Sequence, residues 1–90
     1  MDRQDIKLIL RCPYKDIIEY LLNTVNLTDK EIKLLKEVDI KGNTEERTAE
    51  HFDVSTRHVQ SQRQKAYQKI TKVWSKNHLA EVILKELKEN

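Results

Sequence analysis

Only two residues of this 90-residue chain, Gly42 and Pro13, belong to the types that regularly interrupt a helix. Glycine costs a helix interior about 1 kcal/mol relative to alanine, and proline costs about 3 kcal/mol. The long segments that follow each of these two residues show little of the two-residue alternation that marks strands. The sequence therefore predicts an all-α fold, a small helical bundle, and its length suits a single helical domain over residues 1–90.

Residues 1–26 are predicted to form an N-terminal arm and a helix. Residues 1–11 fit either a short helix or an ordered arm. Pro13 is predicted as the first helical residue, where its missing N–H costs nothing. We expect Tyr14 and Tyr20 to be core residues. The apolar positions that follow recur at three- and four-residue steps, which indicates one buried stripe on a helix: Tyr14, Ile17, Ile18, Leu21, Leu22 and Val25.

The next helix has a clear start signal. Thr28 and Glu31 have the spacing of a capping box, in which each side chain binds the backbone N–H of the other residue. Leu27 and Ile32 flank it as a hydrophobic staple. We expect this helix to end near Gly42, because glycine readily adopts the left-handed conformation found after helix ends.

A short helix, a tight turn and a long helix are predicted next. Thr44 caps the short helix, Asp53 tolerates a left-handed turn, and Ser55 caps the long helix. Val54 and Val59 would form a second staple. The inward stripe of the long helix is predicted to contain Val59, Ala66, Ile70 and Val73, with Trp74 beside it and Tyr67 also in the core.

Residues 75–90 are predicted to be a C-terminal amphipathic helix, either separate or continuous with the long helix. Its apolar residues have two interpretations. The favoured one packs them on the helix that contains Tyr14–Val25, and the other makes them a homodimer surface. These residues are Leu79, Ile83, Leu84 and Leu87.

Charge is distributed unevenly along the chain. From Ser55 to Ala80 there are six Lys/Arg residues and no Asp or Glu, whereas the other 64 residues hold all 15 acids and 11 basic residues. A concentrated basic segment is typical of a surface that binds nucleic acid. We expect the basic side chains of the long helix to release counterions from DNA phosphates: Arg63, Lys65, Lys69 and Lys72.

This order of elements is that of a helix-turn-helix with a long basic recognition helix. Ala49 is the small residue that lets the second helix cross the first closely, and Phe52, Val54 and Val59 supply the apolar contacts. The first turns of the second helix offer polar groups without acids, which suits the base edges in the major groove of double-stranded DNA. These groups belong to Thr56, Arg57, Gln60, Ser61 and Gln64.

The same region resembles a known family. The run from Val54 to Val59, followed by Lys65-Ala66 and Lys69-Ile70, is similar to the helix-turn-helix of sigma-70-type region 4. The start of the preceding helix, Leu27–Glu31, is similar to the Leu-Thr/Pro-x-x-Glu start in that family. The resemblance covers residues 27–74, about half of the chain, and implies a domain that reads the −35 promoter element and can contact RNA polymerase.

Carried over by position, the resemblance assigns individual roles. It implies that Thr56, Arg57, Gln60, Ser61 and Gln64 face bases, and that Arg47, Ser55 and Lys65 lie near phosphates. Gln62 and Thr48 depart from the family, because both positions are usually apolar there. Nothing in the chain resembles the sigma region that melts the −10 element. The chain is therefore closer to small stand-alone regulators of phages and mobile elements than to a complete sigma factor.

Other classes of function are disfavoured. A single cysteine, Cys12, excludes an internal disulfide and fits a reducing cytoplasm. The histidines and Cys12 lack the spacing of a metal site, no cofactor-binding motif is present, and no catalytic arrangement emerges, so an enzyme is not expected. No apolar run approaches the roughly 20 residues that span a bilayer, so we expect no membrane partner.

Two alternatives to a transcription regulator stay open. A phage small terminase-like subunit, which packages DNA, also joins a helix-turn-helix to an oligomerising helix. In the other alternative, a sigma-like fold binds RNA polymerase or an antagonist and hardly touches DNA.

Overall fold

A computed structural model of the protein describes residues 1–89, and within them the regular structure is helical, as predicted. The third helix runs directly into a π-helical turn, Lys36–Ile40. The α-helices are α1 (Arg3–Leu10), α2 (Lys15–Asn23), α3 (Asp29–Leu35), α4 (Glu45–His51), α5 (Thr56–Trp74) and α6 (His78–Glu89).

The chain divides into two compact units. The central unit is Leu27–Ala66, and the terminal unit combines Met1–Asn26 with the chain from Tyr67 onward. The last turns of α5 belong to the terminal unit because their side chains pack there.

Residues 1–11, for which the sequence fits either a short helix or an ordered arm, contain a helix. This helix is α1, and it starts with a capping box between Asp2 and Asp5. Three apolar side chains of α1 are completely buried, so this segment is part of the terminal core rather than an arm. They are Ile6, Ile9 and Leu10.

The prediction that Pro13 starts α2 is wrong. The N–H of Lys15 donates to the Pro13 carbonyl at 3.0 Å, and Tyr14 between them has φ −84° and ψ 74°. That is an inverse γ-turn, so helical dihedrals begin only after Tyr14. The tyrosine prediction is wrong too, because Tyr14 and Tyr20 are 45% and 59% exposed. A phenol tolerates water at its polar tip, so these side chains need no place in the core.

Trp74 anchors the end of α5 in the terminal unit, as expected of a core residue. Its side chain is completely buried, and its Nε1–H donates to the Leu21 carbonyl at 3.0 Å. Tyr67 is also buried, and the Arg3 guanidinium lies 5.4 Å from the centre of its ring. These contacts explain why α5 changes unit near Tyr67.

The C-terminal helix is separate from α5 and packs on a different partner from the one predicted. Asn77 accepts a side-chain hydrogen bond from the Ala80 N–H at 3.0 Å and so caps α6. The main neighbour of α6 is α1, rather than the helix that contains Tyr14–Val25. Lys88 of α6 pairs with Asp5 of α1 at 2.9 Å. The prediction failed because residues 1–11 contain an amphipathic helix of their own, whose buried face is formed by Ile6, Ile9 and Leu10.

In the central unit, the predicted capping box at the start of α3 is confirmed. The Glu31 carboxylate accepts from the Thr28 N–H at 2.8 Å, and the Thr28 hydroxyl accepts from the Glu31 N–H at 3.1 Å. After the π-helical turn, Gly42 adopts a φ of 82°, which confirms its predicted role at the helix end. Helix α4 begins three residues later, at Glu45.

Candidate nucleic-acid interface

The short helix α4 begins as its sequence predicts. The Thr44 hydroxyl accepts from the Arg47 N–H at 3.1 Å, which satisfies one of the free donors of the first turn. Thr48, one of the departures from the sigma pattern, is 1% exposed. Its hydroxyl donates to the Thr44 carbonyl at 2.9 Å, so the buried polar atom is satisfied within the helix.

The turn between α4 and α5 is tight and has the predicted left-handed residue. Asp53 has a φ of 54°, and the Val54 N–H donates to the Ala49 carbonyl at 2.9 Å. The Ser55 hydroxyl then accepts from the His58 N–H at 3.0 Å and caps α5. Four residues therefore separate the last residue of α4 from the first of α5.

A small apolar cluster holds the two helices together beneath this turn. Ala49 and Val59 are buried in it, at 4% and 0% exposure, and Phe52 and Val54 pack against it. The side chains that complete it come from α3 and the π-helical turn, Leu34 and Val38. The small side chain of Ala49 and the inward position of Val59 are as predicted.

On the opposite side, the first turns of α5 carry the predicted polar side chains. Arg57, Gln60, Ser61 and Gln64 are exposed, whereas Thr56 is half-buried. Residues three and four apart lie on the same face of a helix, so these exposed side chains form one strip. We name Arg57, Gln60, Ser61 and Gln64 the polar strip.

All but one of the residues predicted to lie near phosphates are exposed. Ser55, which caps α5, and Lys65 on α5 are exposed within the central unit, and Arg47 is exposed on α4. Lys69 and Lys72 are also exposed, but on the part of α5 that belongs to the terminal unit.

Arg63 is the exception, and its assignment to phosphate binding is corrected. Its guanidinium is held inside the central unit by Asp39, with Nε donating at 3.2 Å and Nη2 at 2.9 Å. Nη1 donates to the Glu45 carboxylate at 2.8 Å. With three of its N–H donors so engaged and only 8% exposure, Arg63 supports the fold of this unit rather than an outside ligand.

Sequence reasoning missed this role, although a signal was present. Arg63 falls between Val59 and Ala66 on the inward stripe of α5, at four- and three-residue steps. A basic residue on such a stripe needs a buried acid as its partner. Asp39, which follows the buried Val38, is 1% exposed and is that acid.

Glu45 is the second residue that sequence reasoning did not connect to the site. In the sequence it is only an acid of the first turn of α4, which is favourable beside the positive end of the helix dipole. In the structure its Oε2 accepts from Arg63 and its Oε1 accepts from Gln60 Nε2 at 3.2 Å. Glu45 thus connects the buried ion pair to a member of the polar strip.

A cleft of about 650 Å³ lies beside the start of α4, with Arg47 in its wall. Its floor contains Glu37, whose carboxylate accepts from Lys41 Nζ at 3.1 Å and from Asn43 Nδ2 at 2.6 Å. These two hydrogen bonds lower the pKa of Glu37 below its ordinary value. The anionic form of Glu37 is therefore favoured. The cleft is lined by basic as well as acidic side chains, Lys41 and Arg47 beside Glu37 and Glu50.

Within residues 1–89, no cluster of His, Cys, Asp and Glu side chains has an arrangement that could hold a metal ion. No helix in the same residues is long and apolar enough to cross a membrane. Cys12 is buried as a free thiol.

Comparisons with protein-family models, characterised proteins and solved structures find no significant match to this chain.

Proposed function

We propose that the protein is a sequence-specific DNA-binding transcription regulator. The observation that carries this proposal is the polar strip, because four exposed hydrogen-bonding side chains lie on the first turns of α5 while Val59 is buried behind them. No acidic residue of α5 competes with them. The strip therefore offers donors and acceptors that suit the base edges of the major groove.

The surroundings of the strip support the same proposal. The turn at Asp53 and the cap at Ser55 leave the first turn of α5 at the surface. Lys65 on α5 and Arg47 on α4 supply positive charge for phosphate contacts, which position a protein on DNA without reading sequence. The resemblance of residues 27–74 to sigma-70-type region 4 favours transcription regulation, with RNA polymerase as a second partner.

The experiment that tests the proposal is selection of bound duplexes from a randomised DNA pool at near-physiological salt, followed by sequencing. We expect one enriched motif a few base pairs long. The symmetry of the motif would show whether one copy of the protein or two bind it.

The matched comparison uses two charge-reversed variants of the central unit. Arg57→Glu with Lys65→Glu alters the proposed surface, and Lys30→Glu with Lys33→Glu alters two exposed lysines of α3 by the same total charge. We expect the first pair to abolish enrichment and the second pair to preserve the motif. Enrichment that survives the first pair, or no enriched motif with the unaltered protein, would overturn the proposal.

A further inference from the structure

The polar strip contains one side chain whose orientation is set by a neighbour. Gln60 lies on the exposed face of α5, and its Nε2 donates to Glu45 Oε1 at 3.2 Å. An ionised carboxylate can only accept hydrogen bonds, so the amide must turn its Nε2 end toward Glu45. The Oε1 end of Gln60 is therefore directed away from α4.

Glu45 is itself held in place from behind. Its Oε2 accepts from Arg63 Nη1 at 2.8 Å, and Arg63 is bound at two points by Asp39, whose side chain is fully buried. A guanidinium is a rigid planar fork, so binding on one edge fixes the direction of its remaining N–H groups. The order of contacts is thus Asp39, Arg63, Glu45 and Gln60, from the interior to the surface of the central unit.

We infer that Glu45 is a positioning residue that holds Gln60 ready to read an adenine. One Nε2 hydrogen of Gln60 is bound to Glu45, and Oε1 with the other Nε2 hydrogen remains for a ligand. An acceptor and a donor side by side match the N6 amino group and the N7 atom that adenine shows in the major groove. The inference rests on the proposed DNA binding and names one feature of the sequence that is read.

An unanchored glutamine would be a poorer reader. Its amide can exchange its oxygen and nitrogen ends by rotation, and it can then pair with several base edges. Holding one orientation before DNA arrives removes that freedom and its entropic cost on binding. Selectivity at the base pair facing Gln60 should therefore depend on Glu45, although Glu45 itself carries the wrong charge to approach DNA.

The test repeats the duplex selection with Glu45→Ala, Gln60→Ala and the double variant. Glu46→Ala is the matched control, because it removes the same charge from the next residue of α4, which is exposed. We expect the unaltered protein to favour adenine at one motif position by roughly 5- to 150-fold over other bases. Glu45→Ala and Gln60→Ala should each lose most of that preference at the same position, and Glu46→Ala should retain it.

The double variant separates positioning from general weakening. If Glu45 acts through Gln60, adding Glu45→Ala to Gln60→Ala should change the preference at that position no further. Circular dichroism melting of each variant checks that it is folded, since Arg63 keeps Asp39 when Glu45 is removed. A folded Glu45→Ala variant that keeps the adenine preference would overturn the inference while leaving DNA binding intact. An unaltered protein without any enriched motif would overturn the proposed function and this inference together.

Discussion

Arg63 and Asp39, 24 residues apart in the chain, form a two-point ion pair whose carboxylate is fully shielded from solvent. The pair joins the middle of α5 to the π-helical turn within the central unit. Removing two charges from water is costly, and their attraction offsets that cost only when the geometry is good and the remaining groups are hydrogen-bonded. Glu45 accepts a hydrogen bond from Nη1 and so satisfies one of the remaining donors of Arg63.

Breaking this pair should destabilise the protein strongly. Arg63→Met removes the guanidinium and leaves Asp39 buried without it, for which a loss of about 3–5 kcal/mol in the free energy of unfolding is expected. Urea unfolding followed by circular dichroism measures this loss. Arg57→Met on the exposed face of the same helix is the control and should change stability little.

Replacing both Asp39 and Arg63 tests whether the unpaired buried charge causes the loss of stability. Asp39→Leu combined with Arg63→Met removes both charges and substitutes apolar side chains, so much of the lost stability should return. A double variant as unstable as Arg63→Met alone would mean that the packing of the arginine, rather than its charge, matters.

Gly42→Ala should destabilise the protein by about 1–2 kcal/mol, because a β-carbon is strained in the left-handed region. The φ of Gly42 is 82°, and an added β-carbon would meet no atom within 4 Å, so the cost is conformational rather than a clash. Thermal unfolding measures it. Gly42→Asn should cost less, since asparagine visits this region more readily. Equal losses for the two variants would contradict this explanation.

Asp5 should give the terminal unit a pH-dependent contribution to stability. The hydrogen bond from Lys88, then that from the Asp2 backbone, lower the pKa of Asp5 below its ordinary value of 3.8. Because the pKa of Asp5 is lower in the folded than in the unfolded protein, ionised Asp5 stabilises the fold. This stabilisation is complete above the unfolded-state pKa and is lost as the pH falls through the folded-state pKa. We expect Asp5→Asn to be less stable than the unaltered protein at pH 7, with the difference shrinking below pH 3.8.

The partner of Asp5 can be tested directly by an NMR titration of its carboxyl carbon. Lys88→Met should raise the pKa of Asp5 toward the ordinary value, because the largest cause of the shift is then absent. Lys85→Met removes an exposed lysine from the previous turn of α6 and should leave the titration unchanged. If Asp5 has the same pKa in the Lys88→Met variant as in the Lys85→Met variant, the ion pair between Asp5 and Lys88 does not form in solution.

Arg57 and Lys65 should affect DNA binding differently. Arg57→Ala should cost roughly 1–3 kcal/mol on the selected site and relax selectivity at one base pair, if Arg57 reads a base. Lys65→Ala should weaken binding about equally on all sequences and reduce the slope of log affinity against log salt by about 1. Affinities over a range of salt concentrations, on the selected and a scrambled duplex, distinguish these outcomes. Uniform weakening by Arg57→Ala would reassign Arg57 to phosphate contact.

Local signals in the sequence were sufficient for most helix starts and turns. The capping box of Thr28 and Glu31, the cap at Ser55 and the left-handed residues Gly42 and Asp53 depend on interactions within a few residues. Such interactions are encoded by neighbouring side chains and backbone sterics, so they can be inferred without knowledge of the fold. The inverse γ-turn at Tyr14 shows the limit, because the preference of proline for a first helical position was outweighed there.

Which long-range partners meet was decided by the tertiary structure. Residue order and amphipathic spacing determined that the chain is helical, where α4 and α5 begin, and that the first turns of α5 carry a polar strip. They could not determine that α6 packs on α1, or that Arg63 turns inward to Asp39 and Glu45. Helical periodicity specifies which face of a helix is apolar, but it does not specify which other helix that face packs against. The direction of a long charged side chain is set by buried partners far away in the chain, and only the folded structure brings those partners together.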